Sequence, residues 1–200
     1  MPYNSDPDRY TDFGTGVLKN LLGITTIEEL EEAEADITAA AIAAIPEEPP
    51  LGNFDLEHLQ NIHWELFNAI YEWAGEIRDV EISKENTRFA NSDVITSAAV
   101  KLFRTLHAEE LLKNLSRNEY IRRLAYYYSE INILHPFREG NGRTQRVFFS
   151  QLAMLAGYRL AWERLDRDEN LHVCIAAYDG DETPLAEMLD TLLELDSSSH

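Results

Sequence analysis

The sequence predicts an all-α fold with one short β-hairpin. Three observations carry this reading. Apolar residues recur every three or four positions through most of the chain, the period of helices buried on one face. A single stretch, near residues 77–90, alternates apolar and charged residues as a strand pair would. One cluster of prolines and glycine, PEEPPLGN at 46–53, breaks the helical pattern and separates an N-terminal helical extension, residues 1–50, from a main body, residues 51–195.

The elements follow in order. Residues 25–45 open with a threonine able to cap a helix, and Ile27, Leu30, Ala33, Ile37, Ala41 and Ala44 fall at helical spacing. Glu28, Glu29, Glu31, Glu32 and Glu34 are expected on the solvent side and in the first turns, where the helix dipole favours acids. Residues 55–75 place Leu59, Ile62, Leu66, Phe67, Ile70 and Trp73 on one stripe, with Gly75 as the stop. Ile77, Val80 and Ile82, with the segment at 87–90, form the expected hairpin. It is the only strand pair the pattern suggests. Residues 97–115 and 118–134 are two further helices. The segment 143–158 is another, with Val147, Phe148, Leu152 and Leu155 inward and Gly157 at its end. Residues 184–195 close the body as a last helix, and the tail at 196–200 is expected to fray.

Composition sets the class. The chain has 200 residues, 44 % of them hydrophobic and 26 % charged, enough to bury a core. A formal net charge of −19 repels nucleic-acid backbones and anionic membranes. It would suit a basic protein partner, although acidity for solubility alone is the simpler reading. The lone cysteine, Cys174, lies in an apolar helical stretch and reads as a buried thiol. No apolar run has the length of a membrane span, and the first residues lack the features of a signal peptide, so a cytoplasmic protein is expected.

Against that acidic background, residues 135–146 read HPFREGNGRTQR. Gly140 and Gly142 allow close approach of a ligand to the backbone. The first amides of the helix that follows have no internal acceptors and point outward with the positive end of the dipole, forming an anion nest. The Asn141 side chain could add a donor. Arg143 and Arg146 are three residues apart and share a face, which suits a chain of phosphates better than one carboxylate. Glu139, beside the nest, could hold Mg²⁺ together with phosphate oxygens. His135 could accept a proton from an incoming hydroxyl. Phe137 reads as a core anchor for the loop, Pro136 as a stiff entry and Arg138 as a solvent-facing charge. Each feature alone has a bland explanation. Eight specified positions within twelve residues, however, arise by chance on the order of once in 10¹⁰ trials if residue types are equally common.

These residues match the signature of the Fic-domain family, His-x-Phe-x-(Asp/Glu)-Gly-Asn-Gly-Arg-x-x-Arg, at every specified position. The stretches at 62–84 and 157–165 also resemble the family, and the segment at 14–34 resembles the lead-in of small bacterial Fic toxins. The resemblance implies a helical core with a hairpin flap and transfer of AMP from ATP to a Tyr, Ser or Thr hydroxyl of a target protein. It implies His135 as base and Glu139 as Mg²⁺ ligand. It gives Gly140, Asn141 and Gly142 the phosphate cradle, Arg143 the β-phosphate and Arg146 the γ-phosphate. The flap, with Ile82, Ser83, Lys84 and Phe89, would dock the target segment as an added strand. The family's inhibitory motif, (Ser/Thr)-x-x-x-Glu-(Gly/Asn), is not found: Glu169-Asn170 has Leu165 at the hydroxyl position, and Glu85-Asn86 has Glu81. An antitoxin supplied as a separate small protein, docking on the N-terminal helical region, is therefore expected. The lead-in suggests subunits of DNA gyrase and topoisomerase IV as targets.

Two other readings compete. A Fic-fold transferase with a different donor, or a phosphotransferase with the nucleotide reversed, is disfavoured by the intact Gly142 and Arg143. A non-catalytic nucleotide-binding module is disfavoured by the intact His135. A metal site built from His58, His63, His107 and His172 has little support, since His58 and His63 stand five apart on a helix.

Overall fold

A computed structural model describes residues 8–45, 52–84 and 87–196. The predicted break at 46–53 and tail at 196–200 fall mostly outside the described residues. The order of elements is α1 (Ile27–Ala43), α2 (Leu56–Phe67), β1 (Ser83–Lys84), β2 (Thr87–Arg88), α3 (Ile95–Ala108), α4 (Arg117–Leu134), α5 (Asn141–Leu155), β3 (Tyr158–Leu160), α6 (Arg167–Tyr178), α7 (Thr183–Leu192) and β4 (Leu193–Leu195). The fold is helical, as expected.

Helix starts follow local chemistry. Asp55 caps α2 by accepting from the His58 amide at 2.9 Å, and Asp166 caps α6 by accepting from Asp168 and Glu169. At α4, the Glu119 carboxylate accepts from the Ser116 amide, as in a capping box. The buried rows of α2, α4 and α5 interlock in one core containing Leu59, Leu66, Phe103, Leu124, Phe148 and Phe149. The central pair is α4 and α5, with α2 and α3 on one side and α6 and α7 on the other. The turn from α4 into α5 is the segment that carries the motif.

Several expectations need correction. First, helices stop early: the one expected over 97–115 stops at Ala108, where residues with positive φ at 110–112 and 114 end it, and α2 ends at Phe67, not Gly75. The Asn68 amide side chain donates to the Trp64 carbonyl at 2.7 Å, the Ile70 amide folds back to the Phe67 carbonyl, and Ile70's own carbonyl is taken by the Leu21 amide. Ile70 and Trp73 are still buried, but from turns. Second, a further strand pair exists. β3 pairs with β4, Tyr158 opposite Leu195 and Leu160 opposite Leu193, so the last predicted helix stops at Leu192. The two strands lie far apart in sequence, and each is too short to show a period of two. Third, the inward face of α1 is Leu30, Glu34 and Thr38, at i, i+4 and i+8, while Ile27 and Ala44 are exposed. Glu34, expected in water, is buried. Fourth, Arg138 is buried rather than solvent-facing. Its Nε donates to Asp8 Oδ2 at 2.9 Å, an ion pair that ties the N-terminal segment to the motif loop.

A hairpin forms inside the predicted stretch but is shorter, with Ser83 opposite Arg88 and Lys84 opposite Thr87, and Ile77, Val80 and Ile82 lie before its strands. Cys174 is part-buried and its thiol is pushed up to about 12 by burial, as an inert thiol should be. None of the helices among the described residues is long and apolar enough to cross a membrane.

Candidate active site

His135 ends α4 in a left-handed conformation, φ 43° and ψ 60°. The chain then passes through Pro136 and enters α5 at Gly140, itself at φ 81°. Between these two points the loop is pinned from within. Phe137 is buried, and its ring stacks on His63 at 3.9 Å. The Asn141 side chain spans the turn, accepting from the Phe137 amide at 2.9 Å and donating to the Phe137 carbonyl at 2.7 Å. Asn141 thus closes the loop. The backbone amides at the start of α5 have no acceptor one turn earlier and would form an anion nest.

His135 Nδ1 lies 3.0 Å from the Asn132 carbonyl. A carbonyl can only accept, so Nδ1 carries the proton and the neutral ring keeps its lone pair on Nε2. Burial lowers its pKa to about 3. The Asn132 carbonyl opposes this, while the charges of Arg78 and Lys84 assist. The ring is stacked on Phe89 of the flap at 3.7 Å. Arg78, also buried, locks the flap to the loop. It donates to the carbonyls of His135 at 2.8 Å, Val80 at 2.6 Å and Ala90 at 2.6 Å.

Glu139 is set one residue before the nest. Its carboxylate accepts from the Gly140 amide at 2.8 Å and lies 3.8 Å from Arg143 Nη2. Burial raises its pKa, with the Glu34 charge adding to the effect. A half-buried carboxylate so thinly hydrogen-bonded is a fitting ligand for a hard cation. A single carboxylate of this kind would hold Mg²⁺ with phosphate oxygens and water completing the shell.

Behind the loop, His63 Nε2 donates to the Glu139 carbonyl at 3.0 Å and Nδ1 accepts from the Gly75 amide at 2.8 Å. Burial holds its pKa down at about 3. His63 is therefore a neutral strut, and His58, bonded to Gln151, belongs elsewhere in the core.

Arg143 lies over the Phe67 ring at 4.9 Å and is paired with Glu34 of α1. Arg146, one turn along, is mostly enclosed, and burial lowers its pKa. No carboxylate among the described residues pairs with it within 4 Å. The structure thus brings His135, Glu139, Gly140, Asn141, Gly142, Arg143 and Arg146 together around one helix start. Of the flap residues, Ile82 and Phe89 are buried and Ser83 and Lys84 half-buried. Asp8, Glu34, Tyr71 and Arg78 also contact this region and were not legible in the sequence as its neighbours. Only the spacing of Leu30, Glu34 and Thr38 hinted at an acid on an inward face.

Residues 53–153 match the family model described as the Fic/DOC family. Over 94 % of its length the chain is 41 % identical to protein adenylyltransferase VbhT of Bartonella schoenbuchensis. The chain belongs to the Fic/DOC family. A second relative of this Fic protein, named as a probable protein adenylyltransferase Fic, comes from Escherichia coli K12 and is 38 % identical over 80 % of the chain. The chain spans 39 % of the length of VbhT and 80 % of the Escherichia coli protein. Among solved structures, the N-terminal Fic domain of a VirB-translocated Bep effector of Bartonella quintana, with ADP bound, aligns at a TM-score of 0.88 and 31 % identity. The alignment covers 94 % of this chain and 96 % of that one. BepC of Bartonella tribocorum, with AMPPNP bound, aligns at 0.86 and 29 % identity, covering 93 % and 96 %.

Proposed function

We propose that this Fic protein is a protein adenylyltransferase. It transfers the AMP unit of ATP to the hydroxyl of a Tyr, Ser or Thr side chain on a target protein. The observation that carries the reading is the neutral His135, its proton fixed on Nδ1, standing next to an amide nest flanked by two arginines. The adenylyltransferase names of its relatives and the adenine nucleotides held by two Fic neighbours support the same donor.

In this mechanism the target hydroxyl oxygen attacks the α-phosphorus while His135 Nε2 takes its proton. The bond from the α-phosphorus to the bridging oxygen breaks, and pyrophosphate leaves. The amides at the start of α5 and the Arg143 and Arg146 guanidinium groups neutralise the triphosphate. Glu139 would hold Mg²⁺, which when bound supplies further neutralisation of the phosphates. The flap between Arg78 and Ala90 would receive the target as an added strand, presenting its backbone edge while Phe89 keeps the histidine ring in place.

The enzyme acts, in this proposal, in the cytoplasm as the toxin of a toxin–antitoxin pair. The lack of a described carboxylate on Arg146 supports an inhibitory glutamate carried by a separate small protein, with the exposed side of α1 offered for docking. Subunits of DNA gyrase and topoisomerase IV are the proposed targets.

Incubating the purified protein with Mg²⁺, bacterial lysate and α-labelled ATP or UTP in parallel tests this. Label from ATP on a discrete protein, identified by mass spectrometry, is expected. Label from UTP alone would move the donor, and nucleotide binding with no labelled protein would reduce the chain to a binding module.

A further inference from the structure

Arg143 is held from three sides by residues that lie outside the motif. Glu34 Oε1 accepts from Arg143 Nη2, and Glu34 Oε2 accepts from the Tyr71 hydroxyl. One turn further along α1, Thr38 Oγ1 accepts from Arg143 Nη1 at 3.2 Å while donating to the Glu34 carbonyl at 2.7 Å. The Phe67 ring lies beneath the guanidinium at 4.9 Å. Tyr71 is itself fixed, its ring stacked on Trp73 at 4.3 Å. The motif arginine is therefore clamped by an N-terminal helix more than a hundred residues away in sequence.

We propose that Glu34, steadied by Tyr71 and Thr38, is a positioning residue that orients Arg143 for phosphate and sets the charge of the nest. The proposal rests on the reading of this site as a nucleotide-phosphate site.

The geometry supports both parts. Arginine has five N–H donors in a rigid fork. α1 occupies one on each Nη, which leaves three, including Nε–H, with their direction fixed before any ligand arrives. Such pre-organisation places positive charge where negative charge develops on the leaving pyrophosphate, at no reorganisation cost during reaction. A buried carboxylate paired to a guanidinium would add little net stability, since desolvation offsets the attraction, so stability alone is a poor reason for it. The charge consequence is separate. Glu34 and Glu139 flank Arg143, so with Arg146 the four charged groups sum to zero without a cation. The Glu34 carboxylate repels a bare triphosphate, with about four negative charges, more than its Mg²⁺ complex, with about two. Glu34 thereby selects for nucleotide complexed with metal.

The test uses the full chain with Glu34→Gln, which keeps the shape and removes the charge, and Tyr71→Phe, which keeps the charge and loosens the clamp. Binding of a non-hydrolysable ATP analogue is measured by calorimetry in EDTA and in excess Mg²⁺. AMP transfer is measured beside it. For Glu34→Gln, the ratio of affinity with Mg²⁺ to affinity without it should shrink about fivefold, because the bare nucleotide gains more from the lost negative charge. Its kcat should fall about tenfold or more with KM for ATP unchanged or lower, the pattern of an interaction made in the transition state. Tyr71→Phe should lower kcat while leaving the affinity ratio as in the wild type. Equal movement of both affinities in Glu34→Gln, or wild-type kcat in both variants, overturns the proposal. If Glu34→Gln does not fold, Tyr71→Phe decides the orienting role by its kcat. Absence of AMP transfer by the wild type would sink the adenylyltransferase reading instead, while the affinity ratio still tests the charge role.

Discussion

Gly140→Ala is the sharpest structural perturbation available at this site. Gly140 sits at φ 81°, where a side chain is disfavoured by about 1–2 kcal/mol. An added Cβ would lie 2.3 Å from Cζ and 2.4 Å from Cε2 of Phe67. Real Cβ atoms do not come that close, and Phe67 is fully buried between α1, Tyr71 and the loop, so the ring has no open space to move into. Overpacking of this kind costs about 1–3 kcal/mol. The sum is about 3 kcal/mol of destabilisation, with AMP transfer falling further because the displaced ring also supports Arg143. Urea denaturation gives the stability, and a double-mutant cycle with Phe67→Ala isolates the cause. Once the ring is gone, Gly140→Ala should cost only the backbone part, about 1 kcal/mol, leaving a coupling of about 2 kcal/mol. Equal cost in both backgrounds would refute the steric account. A cost below about 1 kcal/mol in the wild type would refute the backbone account as well.

Three further outcomes are expected. His135→Ala should abolish transfer while nucleotide binding by calorimetry stays close to wild type, and wild-type labelling would remove His135 from the role of base. Arg146→Glu should cripple transfer and weaken ATP binding by placing a negative charge against the triphosphate, which a filter-binding titration would reveal. Stability should fall in mild acid. His63 and His135 both titrate near 3 in the fold against an ordinary value of 6.5, so the unfolded chain takes up protons first as pH drops below 6.5. At pH 5 each histidine removes about 2 kcal/mol relative to pH 7, or about 4 kcal/mol together. Glu139, with its pKa raised in the fold, works in the opposite direction toward the acid end. Urea midpoints measured from pH 7 to pH 5 check this, and a flat profile would show that neither ring is held neutral.

The helical class and the position of the hairpin could be read along the chain because their signals are local. Periodicity on α2, α4 and α5 needs no knowledge of a partner surface. The motif was legible for the same reason: His135, Glu139, the Gly140–Gly142 turn and the two arginines sit within one loop and one helix turn, so spacing alone implies their neighbourhood. Local reading failed where partners were distant. Arg138 looked like a surface charge because its acid, Asp8, is 130 residues away.

The amino-acid sequence by itself determined the family, the helical class and the chemical inventory at 135–146, since these rest on residue types at short separations. Only the tertiary structure decided that α1 turns an acid inward onto Arg143, that Arg78 locks the flap under the histidine, and that His63 is a strut. Those contacts join segments from about 57 to 109 residues apart. Their existence depends on how whole helices pack, because a buried charge is tolerated only where folding delivers its partner.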